Sequence, residues 1–206
     1  MIKGIIFDFG GVFDAKHESL DGFRDAAQRY GMPAEAFYET LYGGDAWQQA
    51  KLGAISGRDY WRSIMLSLGH DPGEDVDTFR RRLFEGHTLD AAVVRLAERL
   101  HERVPLALLS NATDELEASL ETEFGIHHLF DVVINSARAR VAKPDPRAYR
   151  LALAGLGLKP RHALFIDDKL RNVRVARALG IPTVHFTDAA ALERELVEYE
   201  LLDPAR

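Results

Sequence analysis

The 206-residue chain is 47% hydrophobic and carries 32 acidic against 26 basic side chains, a formal charge of -6. That is enough apolar material for one core, or for a core with a smaller inserted unit, and it excludes a disordered chain. The acidic balance, without a dense cluster of Lys and Arg, argues against nucleic acid as a partner, and the lack of cysteine removes disulfides, thiolate metal sites and a cysteine nucleophile.

In chain order, a single lysine precedes the apolar run 5–9, which is too short for a signal peptide or a membrane span and reads as a buried strand. No membrane partner is expected, and a cytoplasmic location is the default. The interval 18–86 has helical periodicity, turn signals at 31–33, 43–44 and 69–73, and no convincing strand. Within it, Arg80, Arg81 and Arg82 lie in an amphipathic pattern with Phe79, Leu83 and Phe84 and read as a solvated helix face. Apolar runs then recur at 106–109, 132–134, 163–166 and 183–186, alternating with helical patterns at 115–124, 147–156, 173–179 and 190–199. Such alternation predicts an α/β fold with a doubly wound parallel sheet covered on both faces. The expected organisation is a core of 1–17 and 87–206 interrupted by a helical insert, 18–86, placed to cover the carboxyl ends of the strands where open α/β sheets bind ligands.

Polar residues collect at those strand ends. Asp8 ends the first strand and is followed by Gly10 and Gly11, which permit a tight turn; an Asp here is either a presented carboxylate or a loop cap. Ser110 and Asn111 end the second strand, where helix capping is the plain alternative and Thr113 would fill that role equally well. Asp167 and Asp168 end the strand at 163–166; an N-cap would explain Asp168 and leave Asp167 unaccounted for. Carboxylates crowded at one edge repel each other unless a cation neutralises them, and a hard ion such as magnesium suits oxygen ligands. Lys143 lies just outside the Asp145–Pro146 helix start, free to reach inward.

The order Asp8, Ser110, Lys143, Asp167 and Asp168 resembles the four motifs of the haloacid dehalogenase superfamily, over the whole chain. The segment AKLGAISGRDYW resembles the helical cap of the branch that includes the phosphatase domain of soluble epoxide hydrolase and small sugar-phosphate phosphatases. The resemblance implies a Rossmann-like core with an inserted helical cap, and a magnesium-dependent phosphatase acting on a small phosphorylated substrate. Asp8 would be the nucleophile, Ser110 and Asn111 would bind the phosphoryl group, and Lys143 would neutralise both partners. Magnesium would be held by Asp8, the Gly10 carbonyl, Asp168 and Asp167, the last directly or through water. Asn172 would position Lys143 or a metal-bound water.

One departure is Gly10, where phosphatases of this superfamily usually place a second aspartate as general acid. It motivates a second reading, a catalytically weak fold that binds a phosphometabolite or a protein; a third, an L-2-haloacid dehalogenase whose aspartate attacks carbon without a metal, has Gly10, Asp167 and Asp168 against it. Asp14 is a minor candidate for the missing acid. Trp47 and Trp61 are expected to pack the insert, with Asp45 and Trp47 as secondary nominees for substrate contact.

Overall fold

The computed structural model describes residues 1–14, 22–85 and 88–203, so the expected boundaries at 17/18 and 86/87 lie outside the described residues. Five parallel strands form one sheet in the order β3-β2-β1-β4-β5. They are β1 (Gly4–Phe7), β2 (Leu106–Ser110), β3 (Val132–Asn135), β4 (Ala163–Asp167) and β5 (Thr183–His185).

Helices cover both faces, which is why β1, β2 and β4 are buried throughout and apolar up to the Ser110 and Asp167 that end β2 and β4. Alternate residues serve opposite faces. Ile5, Phe7, Leu106, Leu108, Leu164 and Ile166 join the cluster that includes Leu96, Leu100, Leu120 and Leu196. Ile6, Ala107, Leu109 and Phe165 join the cluster formed with Tyr149, Ala152 and Ala176.

Between β1 and β2 the chain forms α1 (Arg24–Arg29), α2 (Ala34–Tyr42), α3 (Asp45–Ala50), α4 (Gly57–Ser67) and α5 (Val76–Leu83), followed by α6 (Ala91–His101). The first five helices have an apolar cluster of their own, running from Phe23 to Leu83 and containing no residue of the sheet. After β2 come α7 (Leu116–Thr122), α8 (Ser136–Ala139), α9 (Pro146–Gly155), α10 (Leu170–Ala178) and α11 (Ala189–Glu198). Ser56, Asp75, Asp90, Asp145 and Asp188 cap their helices through side-chain oxygens, and Pro146 occupies the first turn of α9. No described helix is long and apolar enough to cross a membrane.

Strand order sets the location of the site. The chain builds β1, β2 and β3 outward on one side, then crosses to β4 on the other, so the order reverses at β1. Open α/β sheets form their ligand crevice at such a switch point.

Candidate active site

Register brings the strand ends together: Phe7 stands opposite Leu108 on one side and Ile166 on the other, so Asp8 and Asp167 emerge side by side, with Ser110 one residue further along β2. The Asp8 N–H continues the ladder by donating to the Ile166 carbonyl at 2.9 Å. The chain then turns sharply, with Val12 and Phe13 N–H groups donating to the Phe9 carbonyl at 3.1 and 2.9 Å and Gly11 at φ 75°.

Lys143 lies at the centre of the cluster, 2% exposed. Its Nζ is 2.6 Å from Asp8 Oδ1 and 2.8 Å from Asp167 Oδ2. Asp8 Oδ1 also accepts from the Phe9 N–H at 2.7 Å. Asp167 Oδ1 accepts from the Lys169 N–H at 2.8 Å, and Asn172 Nδ2 donates to both Asp167 oxygens at 3.0 and 2.9 Å. Burial pushes the Asp8 carboxyl well above its ordinary range, with Lys143 pulling the other way. Burial acts on Asp167 in the same sense, yet the Lys143 charge and the hydrogen bonds converging on it hold Asp167 below its ordinary value. Asp167 is therefore the carboxylate that stays ionised most easily, and Asp8 the one whose ionisation is most costly.

Oxygens of Asp8, Asp167 and Asp168 all lie within 4.8 Å of one another. Burial raises Asp168 as well. Its Oδ1 is buried without a hydrogen-bond partner, while His185 Nε2 lies 2.8 Å from its backbone carbonyl. When all three carboxylates are ionised, Lys143 among them and Lys169 beside them still leave negative charge in excess. A divalent cation with a preference for oxygen fits that charge, that donor set and the orphaned Asp168 oxygen.

Several plain alternatives are removed. Lys169, not Asp168, stands at the N-cap of α10, and the carboxylate serving that turn belongs to Asp167. Ser110, Asn111 and Thr113 do not cap α7, whose N-cap position is Glu115 with no side-chain cap. Asn111 instead forms a reciprocal pair with the Lys143 peptide: its Nδ2 donates to the Lys143 carbonyl at 2.9 Å and its Oδ1 accepts the Lys143 N–H at 2.8 Å. Asn172 pairs with Asp167 rather than with Lys143 directly, and its carbonyl accepts the Tyr149 hydroxyl at 3.1 Å. Asp14 is buried and accepts the Gly11 N–H at 2.8 Å.

Two cavities of about 720 Å³ each share Gly10, Tyr42, Trp47, Ser110 and Asn111 in their walls. The polar one reaches Asp8 and Lys143 and is bordered by Lys51, Lys169 and Arg171. The other is walled by aromatic rings of the insert, of the loop after β1 and of Phe124 after α7, together with charged side chains. Trp47 thus reaches both cavities, whereas Asp45 is exposed at the start of α3 and borders neither. Trp61 is buried against Tyr60 and Phe84, with ring centroids 4.8 and 5.4 Å away, as expected for a packing residue, and it also borders the aromatic cavity.

Arg80 corrects the expectation of a solvated arginine face. Arg81 and Arg82 are exposed, but Arg80 lies over the Trp61 ring at 5.4 Å and faces Glu115 Oε2 across 3.1 Å. The pair is a charge contact rather than a hydrogen bond, since Arg80 Nε and Glu115 Oε2 are both buried without hydrogen-bond partners. With the Gly57 N–H donating to Asp114 Oδ1 at 2.7 Å, it ties the insert to the start of α7.

A family model described as haloacid dehalogenase-like hydrolase matches residues 2–180. The chain is 30% identical over 213 residues to an (S)-2-haloacid dehalogenase of Xanthobacter autotrophicus, covering 96% of this chain and 80% of that one. It is 34% identical over 192 residues to a phosphoglycolate phosphatase of Yersinia pestis, covering 90% and 81%. Among solved structures, a HAD family enzyme of Bacteroides thetaiotaomicron in complex with magnesium and inorganic phosphate has the same fold, with TM-score 0.70 at 21% identity over 93% of this chain and 99% of that one.

Proposed function

Because this chain belongs to the haloacid dehalogenase-like hydrolases, we propose that it is a magnesium-dependent phosphatase that hydrolyses a small-molecule phosphate ester through an aspartyl phosphate on Asp8. One observation carries the reading: Asp8, Asp167 and Asp168 converge within 4.8 Å around a buried lysine, with excess negative charge and an unpartnered Asp168 oxygen. Phosphatase relatives, such as that of Yersinia pestis, support it.

Asp8, Asp167, Asp168 and the Gly10 carbonyl would hold the magnesium. When bound, the ion supplies positive charge against the phosphoryl oxygens. Asp8 attacks phosphorus, the P–O ester bond breaks with its electron pair going to the leaving oxygen, and that oxygen takes a proton from solvent to depart as alcohol or phenol; water then hydrolyses the acyl phosphate, returning the Asp8 carboxylate and inorganic phosphate. Lys143 opposes the cost of burying ionised Asp8 and neutralises the incoming phosphoryl group. Ser110 donates to a phosphoryl oxygen, and Asn111 holds the Lys143 peptide in place. Lys51, Lys169 and Arg171 give the polar cavity the sign a phosphate ester needs.

The test is phosphate release from an aryl phosphate with magnesium present, lost in excess chelator and restored by adding the ion back. Full activity in chelator would overturn the assignment. A second reading, halide displacement from a 2-haloacid, is favoured by the Xanthobacter relative. The Asp167 and Asp168 pair opposes it, since attack on carbon calls for no cation and gains nothing from two further buried carboxylates. Metal-independent halide release would establish that alternative.

A further inference from the structure

The aromatic cavity is large, and its walls bear on substrate choice. Phe9, Tyr42, Trp47, Trp61, Phe84 and Phe124 border it, and it meets the phosphate side at Gly10, Ser110 and Asn111. An open apolar surface of this extent beside reactive groups is a recognition surface far more readily than a packing defect. Charged side chains share the same wall, with the acidic Asp14, Asp75, Asp77, Glu115 and Glu123 in excess of the basic Arg80 and Arg81. Arg80 faces Glu115 and Glu123 at 3.1 and 3.9 Å, and Asp75 and Asp77 face Arg58 at 3.8 and 3.1 Å. The vault therefore offers rings to an apolar group, and the acidic excess left after these contacts does not suit a second phosphate or carboxylate.

Resting on the phosphatase reading above, we infer that the substrate is a monophosphate ester whose leaving group is a bulky aromatic or otherwise apolar alcohol, seated in this vault while its phosphate faces Asp8. Trp47 stands where the two cavities join and contacts the ester on its way between them. Sugar phosphates and short hydroxy-acid phosphates would leave the rings uncovered and forgo the apolar burial.

Binding and turnover separate this inference from the reading beneath it. Binding is measured with magnesium and two inert phosphonates, naphthylmethylphosphonate and methylphosphonate, by the fluorescence of the 2 tryptophans, Trp47 and Trp61. The naphthyl compound should bind at least about tenfold tighter, the order expected for burying a fused ring system. Equal or weaker binding overturns the inference, whatever the turnover. Ser119, on the vault wall and outside the reacting cluster, gives the second arm: Ser119→Phe fills the space and should abolish the preference while leaving methylphosphonate binding unchanged. A preference that survives the filling would place the apolar group elsewhere and overturn the assignment. In turnover, 2-naphthyl phosphate should exceed phenyl phosphate, and decyl phosphate should exceed ethyl phosphate, pairs with similar leaving-group acidity. Tight naphthyl binding with no hydrolysis of any ester would instead remove the phosphatase reading and leave the vault.

Discussion

Gly11 and Asp168 are fitted to one another: at φ 75° Gly11 turns its bare Cα toward the Asp168 carboxylate, and a Cβ there would overlap both Oδ2 and the carboxyl carbon. Gly11→Ala should therefore displace Asp168 in addition to straining a left-handed backbone, which alone costs on the order of 1 kcal/mol. The expected outcome is a magnesium requirement raised about tenfold or more, read as the ion concentration giving half-maximal rate, in a protein that still folds. An unchanged requirement would mean that Asp168 does not hold the ion.

Asp8→Asn should remove turnover and raise stability. Burial lifts the folded-state pKa of Asp8, so the ionised carboxylate weakens the fold at high pH, and that penalty disappears as pH falls toward the ordinary carboxylate range. The amide is free of it. In chelator, the variant should melt above wild type at neutral pH, with the gap closing as the solution is acidified. A gap of opposite sign would mean that the Lys143 contact outweighs burial.

Lys143→Met should abolish activity and destabilise the protein, because Asp8 and Asp167 would lose their shared cation. Breaking a buried pair by removing one partner costs about 3–5 kcal/mol, measurable by urea unfolding at neutral pH. Asp167 has a lowered pKa in the fold, so its stabilising share is present above the ordinary carboxylate range and lost as pH falls through the lowered value. The deficit of the variant should accordingly shrink in acid; a constant deficit would point to lost packing instead.

Asn111→Ala should lower kcat with less effect on KM, since both hydrogen bonds to the Lys143 peptide are lost. Leaving a buried donor and acceptor unpaired costs about 1–3 kcal/mol each. If Asn111 acted only as a phosphate ligand, KM for the ester would carry the change.

The convergence of Asp8, Ser110, Asp167 and Asp168 was legible because each ends or follows an apolar run and a parallel sheet brings such ends to one edge, and Lys143 because it lies just outside the Asp145–Pro146 helix start, free to reach inward. The partner of Asn111 was not, because it depends on two loops meeting across 32 positions. Arg80 did carry a signal that grouping it with Arg81 and Arg82 concealed. It falls four residues after Val76, on the stripe of Val76, Phe79 and Leu83 that α5 buries. Asp114 likewise reads locally as a helix-start acid, yet it accepts from Gly57 in the insert, a contact no local pattern contains.

Gly10 has no proton to give, and it is not among the described glycines at positive φ. Gly10→Asp is thus free of the backbone strain that Gly11 would suffer. The wild type should favour leaving groups of low pKa, and Gly10→Asp should selectively raise turnover of alkyl phosphates, within the hundredfold to ten-thousandfold that general acids typically supply. The check is the slope of log rate against leaving-group pKa in both proteins, under conditions where hydrolysis of the aspartyl phosphate is not limiting. A flat slope in wild type would reveal another acid.

The apolar cluster of the insert, from Phe23 to Leu83, draws no residue from the sheet, and the clusters flanking the sheet draw none from it. Bond-breaking groups and most ring-bearing walls therefore rest on separate foundations, joined by a few polar ties such as Gly57 to Asp114. Changes beneath the rings should combine additively with changes beneath the carboxylates. A lineage can thus reshape what the protein accepts, residue by residue, without re-solving how it reacts.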